Sequence, residues 1–238
     1  AQIEQMQGLY QKDGEQEQRL SIAVPRGSYI ANAFTRLAQT LNTDKKMSLY
    51  FLETNSMRTI SGIADGEYDM GIIRYQTAHE DFFQSVLRDK GIRSQQVWTF
   101  EYLALMPHSH PLANCAKVEY EDLCKGIEIT HGDTDVPYLT FKGSRKPEGA
   151  SAKRIFVFER GSQFDLLTSL PNAFMWVSPV PEITLMRYNL VQRRCDVANH
   201  FYKDVLICQN GYEWSPLDSA FVDVLFKVRD EVSSKQYV

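Results

Sequence analysis

The chain is expected to fold as an α/β protein of two lobes joined by two long crossover strands. Three observations predict this. Short apolar runs alternate with apolar stripes at helical spacing from Leu20 to Ile73. A second alternating set runs from Gly126 to Val177. Two long extended stretches, Gln95 to Met106 and Phe201 to Gln209, link the two sets. Strands that alternate with helices form parallel βαβ units, because parallel strands need a crossover connection.

The elements follow in order. Ala1 to Gln18 is polar and Gln/Glu-rich and reads as a tail or the end of a helix. Leu20 to Val24 is a short buried strand. Pro25-Arg26-Gly27 is a turn, and Ser28 is a good N-cap for a helix with Ile30, Phe34, Leu37 and Leu41 on one face. Met47 to Glu53 alternates as a strand, with Leu49 and Phe51 on one side and Tyr50 and Leu52 on the other. Thr54-Asn55-Ser56 offers caps for a helix carrying Ile60, Ile63 and Ala64, and Gly66 ends it. Tyr68 to Ile73 is the next strand.

In the second set, Gly126 to Thr130 and Arg154 to Phe158 read as strands, and His131 to Ala152 as a long Gly/Pro/Asp/Ser-rich loop. Ser162 is placed as the cap of a helix carrying Phe164, Leu167 and Leu170, and Ala173 to Val177 is a strand. Ser215-Pro216 starts a final helix with Leu217, Phe221, Val224, Leu225 and Val228. The division is then a tail over 1–18, lobe I over 19–99 plus 207–238, and lobe II over 100–206.

Composition narrows the function. The chain has 238 residues, 43% hydrophobic and 24% charged, which fits a globular protein. Its net charge of -4 gives no sign of nucleic-acid binding, and Arg187, Arg193 and Arg194 read as a solvated face. No apolar run has the roughly 20 residues of a membrane span, and no secretory signal is visible. Ala1 is not an initiator Met, so a functional module is expected upstream. Cys115, Cys124, Cys195 and Cys208 lack C-x-x-C or zinc spacing and read as free thiols of a cytoplasmic protein, or as a redox pair. There is no nucleophile elbow, no H-E-x-x-H and no phosphate-binding glycine loop. No metal, cofactor or catalysis is expected.

Several stretches together resemble the effector-binding domain of LysR-type transcriptional regulators. They are Leu20 to Val24 with the helix after it, Asp65-Gly66-Glu67-Tyr68-Asp69-Met70-Gly71-Ile72, and Val118 to Leu123. Leu103-Ala104-Leu105-Met106 followed by His110-Pro111-Leu112-Ala113 matches most closely, and Ser215-Pro216 to Leu225 resembles the family's terminal helix. The resemblance covers Arg19 to Glu231. It implies a type II periplasmic-binding-protein-like fold of two Rossmann-like lobes. It also implies a small-molecule effector between them, a homodimer or homotetramer, and DNA contact only through an N-terminal winged helix-turn-helix that this sequence lacks. Leu170 to Pro179 departs from the family, with bulky residues in place of its Gly-rich turn. Peroxide-sensing relatives carry two cysteines after the second lobe's first strand; here His131-Gly132-Asp133-Thr134-Asp135 has none.

Ligands of open α/β sheets sit outside the carboxyl ends of the strands. Those ends carry Arg26-Gly27-Ser28, Asn55-Ser56 and Gly161-Ser162, where helix N-termini favour an anion. Each serine is equally readable as an ordinary N-cap. Arg74 and Tyr75 follow lobe I's third strand, and Arg74 could clamp a carboxylate with two hydrogen bonds, or lie on the surface. Thr130 and His131 follow a lobe II strand, where the histidine is either a ligand donor, a pH-sensitive group or a plain loop residue. Ser178 completes the candidate set. The alternative function is a solute-binding protein of a transport system, and an enzyme on the same fold is the third reading.

Overall fold

The computed structural model describes residues 17–133, 153–158, 160–197 and 201–235. Most of the tail and of the loop expected over His131 to Ala152 therefore lies outside the described residues.

Two five-stranded sheets form the frame. The first contains β1 (Gln18–Val24), β2 (Met47–Glu53), β3 (Met70–Gln76), β4 (Ile92–Glu101) and β10 (Phe201–Gln209), in the order β2-β1-β3-β10-β4. The second contains β5 (Leu103–Pro107), β6 (Ile127–His131), β7 (Arg154–Val157), β8 (Ala173–Val177) and β9 (Leu190–Arg193), in the order β7-β6-β8-β5-β9. β1 is parallel to β2 and β3, and β6 to β7 and β8, as the βαβ reading requires. β10 runs antiparallel to both β3 and β4, and β5 antiparallel to β8 and β9.

The chain leaves the first sheet at Tyr102, between β4 and β5, and returns ahead of β10. What read as one stretch from Gln95 to Met106 is thus two strands, one in each sheet. β10 pairs with β4 along its whole length, from Phe201 opposite Glu101 to Gln209 opposite Ile92. The hydrogen-bonded ladder therefore puts Phe201 to Leu206 with the first lobe, whereas the sequence division left them with the second. Tyr102 and Tyr202 stack where the two connections cross, with ring centroids 3.8 Å apart.

Helices cover both faces of each sheet. In the first lobe α1 (Ser28–Gln39) and α7 (Pro216–Ser233) cover one face, and α2 (Ser56–Ala64) and α3 (Glu80–Asp89) the other. In the second lobe α4 (Tyr120–Leu123), α5 (Arg160–Ser169) and α6 (Glu182–Tyr188) do the same. The alternation read in β2 holds: Leu49 and Phe51 pack on the core, while Tyr50 and Leu52 are exposed. The cores are apolar side chains at strand and helix periods, among them Leu20, Ile22, Ile30 and Phe221, all fully buried. Each such side chain stabilises the fold by about 1.5–3 kcal/mol.

Helix ends differ from expectation in two places. Gly27, not Ser28, is the N-cap of α1, and Ser28 is its first helical residue. α5 begins at Arg160, so Ser162 lies inside the first turn and does not cap it. Elsewhere the local chemistry holds. Asn55 caps α2 by accepting from the Arg58 amide at 2.8 Å. Ser215 and Asp218 form a reciprocal capping box at the start of α7, with Pro216 at the first helical position. Gly66 follows α2 with φ at +72°, a conformation that costs residues other than glycine. α3, α6 and β9 were not anticipated from the sequence.

Candidate ligand site between the lobes

The carboxyl ends of β1 and β2 face those of β6 and β7, and side chains cross the gap in both directions. Arg26, just after β1, reaches the second lobe. Its Nη1 donates to Asp133 Oδ1 at 2.7 Å, and its Nη2 to Asp133 Oδ2 at 3.0 Å and to the Phe158 carbonyl at 2.8 Å. Arg160, at the start of α5, reaches the first lobe. Its Nη2 donates to Ser28 Oγ at 2.9 Å, and its Nη1 bonds the Glu53 carboxylate. Neither arginine is fully solvated: the Arg26 side chain is 9% exposed, and those of Arg160 and Glu53 are 18% exposed each. Screening inside the gap is correspondingly weaker than on a free surface.

His131, the last residue of β6, sits among these groups. Burial, then the positive charge of Arg26 and a smaller effect of Arg160, pull its pKa down to about 4, against the opposing pull of Asp133 and a backbone hydrogen bond at Val157. The imidazole is neutral at neutral pH. Thr130 pairs with Phe156 in the adjacent register position, so its side chain leaves the sheet on the face opposite His131.

Beneath the gap lies a buried charge pair. Asp204 of β10 is fully buried and accepts from Arg74 Nε at its Oδ1 and from Arg74 Nη2 at its Oδ2, both at 2.7 Å, and from the Tyr29 hydroxyl at 2.5 Å. Burial works against the charged guanidinium of Arg74, but Asp204 outweighs it, and the net pKa is raised. Burial, then Asp204, pushes the Tyr29 hydroxyl well up. Arg74 also lies 5.0 Å from the centre of the Phe100 ring and 5.9 Å from that of Tyr102. A Cβ on Gly27 would stand 3.0 Å from both Arg74 Nη2 and the tip of the Ile30 side chain, so the pair packs closely against the turn that opens α1.

The candidate residues are thus sorted. Arg26, Ser28 and His131 come together at the gap, with Gly27 supporting them. Arg74 is spent on Asp204 rather than left to clamp a ligand. Ser56 Oγ accepts from the Arg74 amide at 2.9 Å and donates to the Arg74 carbonyl at 2.7 Å, so it ties α2 to β3. Tyr75 leaves the sheet on the other face from Arg74 and stacks on Phe83 in the core, with ring centroids 4.5 Å apart. Consecutive residues of a strand point to opposite faces, so both could not have served one cleft. Ser178 is buried after β8 and Ser162 is exposed on α5; among the described residues neither joins the hydrogen bonds across the gap. Sequence reasoning missed Glu53, Asp133, Arg160, Tyr29 and Asp204. Arg160 carried a usable signal, being a basic residue beside the Gly161-Ser162 helix start already singled out.

All four cysteines are unpaired, and burial raises Cys195 to about 12. Among the described residues no cluster of His, Cys, Asp or Glu could hold a metal ion. No described helix is long and apolar enough to cross a membrane.

Two α/β lobes on a double crossover, with polar side chains converging between them, define a two-lobed ligand-binding domain. The model of the LysR substrate binding domain matches residues 13–151, more than half of the chain. The chain belongs to that family. It carries the effector-binding domain of LysR regulators, and the transport-protein reading is not favoured. No curated protein matches it closely enough to be counted a relative. Solved structures share the fold. The effector-binding domain of QuiR in complex with shikimate is 13% identical, with a TM-score of 0.57 over 94% of this chain and 100% of that one. The regulatory domain of MetR from N. meningitidis, a LysR family regulator, is 16% identical, with a TM-score of 0.56 over 91% and 94%. A full-length OxyR variant from Pseudomonas aeruginosa is 14% identical, with a TM-score of 0.60 over 99% and 78%.

Proposed function

We propose that the domain senses a small anionic molecule in the gap between its lobes, and that Ser28 and Arg160 are the groups that hold it. The observation that carries this is Arg160 reaching across the gap to Ser28 and to a carboxylate. The site already makes, with its own Glu53, the contact that a ligand carboxylate would make. A guanidinium and a hydroxyl at the start of α1 favour an anion over a neutral or cationic ligand. Ligand binding rather than catalysis is the reading these groups support. Binding that prefers one angle between the lobes shifts the population of lobe arrangements. In a cytoplasmic regulator, that shift reaches DNA through a separate winged helix-turn-helix.

The test is a thermal-shift and calorimetric screen of small carboxylic acids, with shikimate and benzoate among them. An acid at a hundred times its Kd stabilises the domain by about 2.7 kcal/mol. Ser28→Ala and Arg160→Gln each weaken a hit about tenfold or more, since each removes a charged or charge-assisted contact. Unchanged affinity in both variants sinks the assignment.

The domain acts as a homodimer or homotetramer in this reading. Both outer strands on the β2 and β7 edges expose large apolar side chains: Met47, Tyr50 and Leu52 on one, Phe156 on the other, with Phe158 just beyond it. Among the described residues no further strand pairs with either edge, and edges with such side chains are usually covered. Sedimentation equilibrium at tens of micromolar, a range set by ordinary interface strengths, should give twice or four times the chain mass. A pure monomer there removes the oligomer from the proposal.

A further inference from the structure

Each guanidinium that crosses the gap meets a carboxylate of the opposite lobe: Arg26 meets Asp133, and Arg160 meets Glu53. Among the described residues, positive and negative charges in the gap therefore balance, and an incoming anion meets no guanidinium without a carboxylate partner there. One of the carboxylates has to leave. The two pairs are not equivalent. Arg26 holds Asp133 by two hydrogen bonds and is tied as well to the Phe158 carbonyl. Glu53 is the last residue of an edge strand, and among the described residues Arg160 is the one hydrogen-bond partner of its carboxylate. Its side chain is 18% exposed, so the carboxylate borders solvent and, once released from Arg160, can be hydrated.

Resting on the reading that an anion binds in this gap, we infer that Glu53 is an internal stand-in for the ligand's carboxylate, holding Arg160 until a ligand displaces it. Glu53 is then a specificity-determining residue. A carboxylate ligand replaces it like for like on Arg160 and gains Ser28 Oγ as a donor. A neutral analogue offers Arg160 nothing that Glu53 does not already give, and leaves Glu53 in place. One carboxylate on the ligand is enough, because the Arg26–Asp133 pair stays closed and keeps the lobes in register. The threshold for response is set by this competition rather than by the ligand's contacts alone.

The test compares the whole chain with Glu53→Gln and Glu53→Asp, using benzoate and benzamide as the charged and neutral probes. Calorimetry should show Glu53→Gln binding benzoate about tenfold more tightly than the wild type, because the competitor's charge is gone. Glu53→Asp, one methylene shorter, should fall between them, and benzamide should bind none of the three. Without any ligand, hydrogen exchange at the amides of residues 28–31 and 161–164 should be faster in Glu53→Gln than in the wild type.

Equal or weaker benzoate binding by Glu53→Gln, while Ser28→Ala and Arg160→Gln lose affinity, overturns the role of Glu53 and leaves the ligand site standing. Wild-type affinity in Ser28→Ala and Arg160→Gln overturns the ligand site itself. Where benzoate binds none of the proteins measurably, exchange decides: unchanged rates in Glu53→Gln overturn the proposal, and faster rates uphold it.

Discussion

Asp204→Ala is expected to lower the stability of the domain by about 3–5 kcal/mol, the cost of stranding a buried charge. Asp204 is fully buried and carries three hydrogen bonds, two from Arg74 and one from Tyr29. Without it the Arg74 guanidinium, 8% exposed, has no counter-charge, and the Tyr29 hydroxyl loses its acceptor. The Phe100 and Tyr102 rings face the guanidinium with or without Asp204, so they do not make good this loss. The loss should appear in urea unfolding as a lower midpoint with an unchanged slope. The double variant Arg74→Met, Asp204→Leu should recover most of it, since apolar replacement of a whole buried pair is often nearly neutral. A loss under about 1 kcal/mol in Asp204→Ala would mean that the pair is not held as described. The consequence reaches the ligand site, because Arg74 packs against Gly27 at the opening of α1.

Mild acid should destabilise the domain through His131. Its pKa is about 4 in the folded chain, against about 6.5 when unfolded. Above pH 6.5 neither state carries the proton, and stability is at its full value. Between 6.5 and 4 the unfolded chain binds the proton and the folded chain does not, so stability falls with falling pH; below 4 this loss levels off. From pH 7.5 to pH 5 the loss is on the order of 2 kcal/mol. His110, also lowered by burial, adds to it in the same direction. Urea unfolding at both pH values for wild type and His131→Gln measures the share of His131. The variant should lose clearly less stability over the interval; an identical loss would show that the imidazole is not desolvated among Arg26, Asp133 and Arg160.

The fold was largely legible because its signals are local. β2 was read with the bounds it has from its alternation, and β10 from its length as an extended stretch, since neither signal needs knowledge of distant partners. Ser215-Pro216 announced α7 because a cap acts on amides three residues away. The elements that escaped are instructive. α3 starts at Glu80 without a side-chain cap, and α6 and β9 are short, at seven and four residues.

The site was legible only in part, for the same reason. A strand-to-helix turn can be seen in the sequence, so Arg26 and Ser28 were named. What their side chains do could not be seen. Arg160 and Ser28 are 132 residues apart, Arg26 and Asp133 107 apart, and Arg74 and Asp204 130 apart. Charged side chains at such separations choose partners only after two sheets have formed and set their strand ends face to face. Tyr75 shows the reverse error: position along the chain suggested the cleft, and the two-residue period of the strand sent the ring into the core.

Hydrophobic period, capping residues and turn chemistry, all within a few residues of each other, determined that this chain makes two α/β lobes with helix starts at their strand ends. Only the tertiary structure decided which guanidinium meets which carboxylate across the gap. That choice depends on register and lobe placement, which no local stretch of sequence encodes.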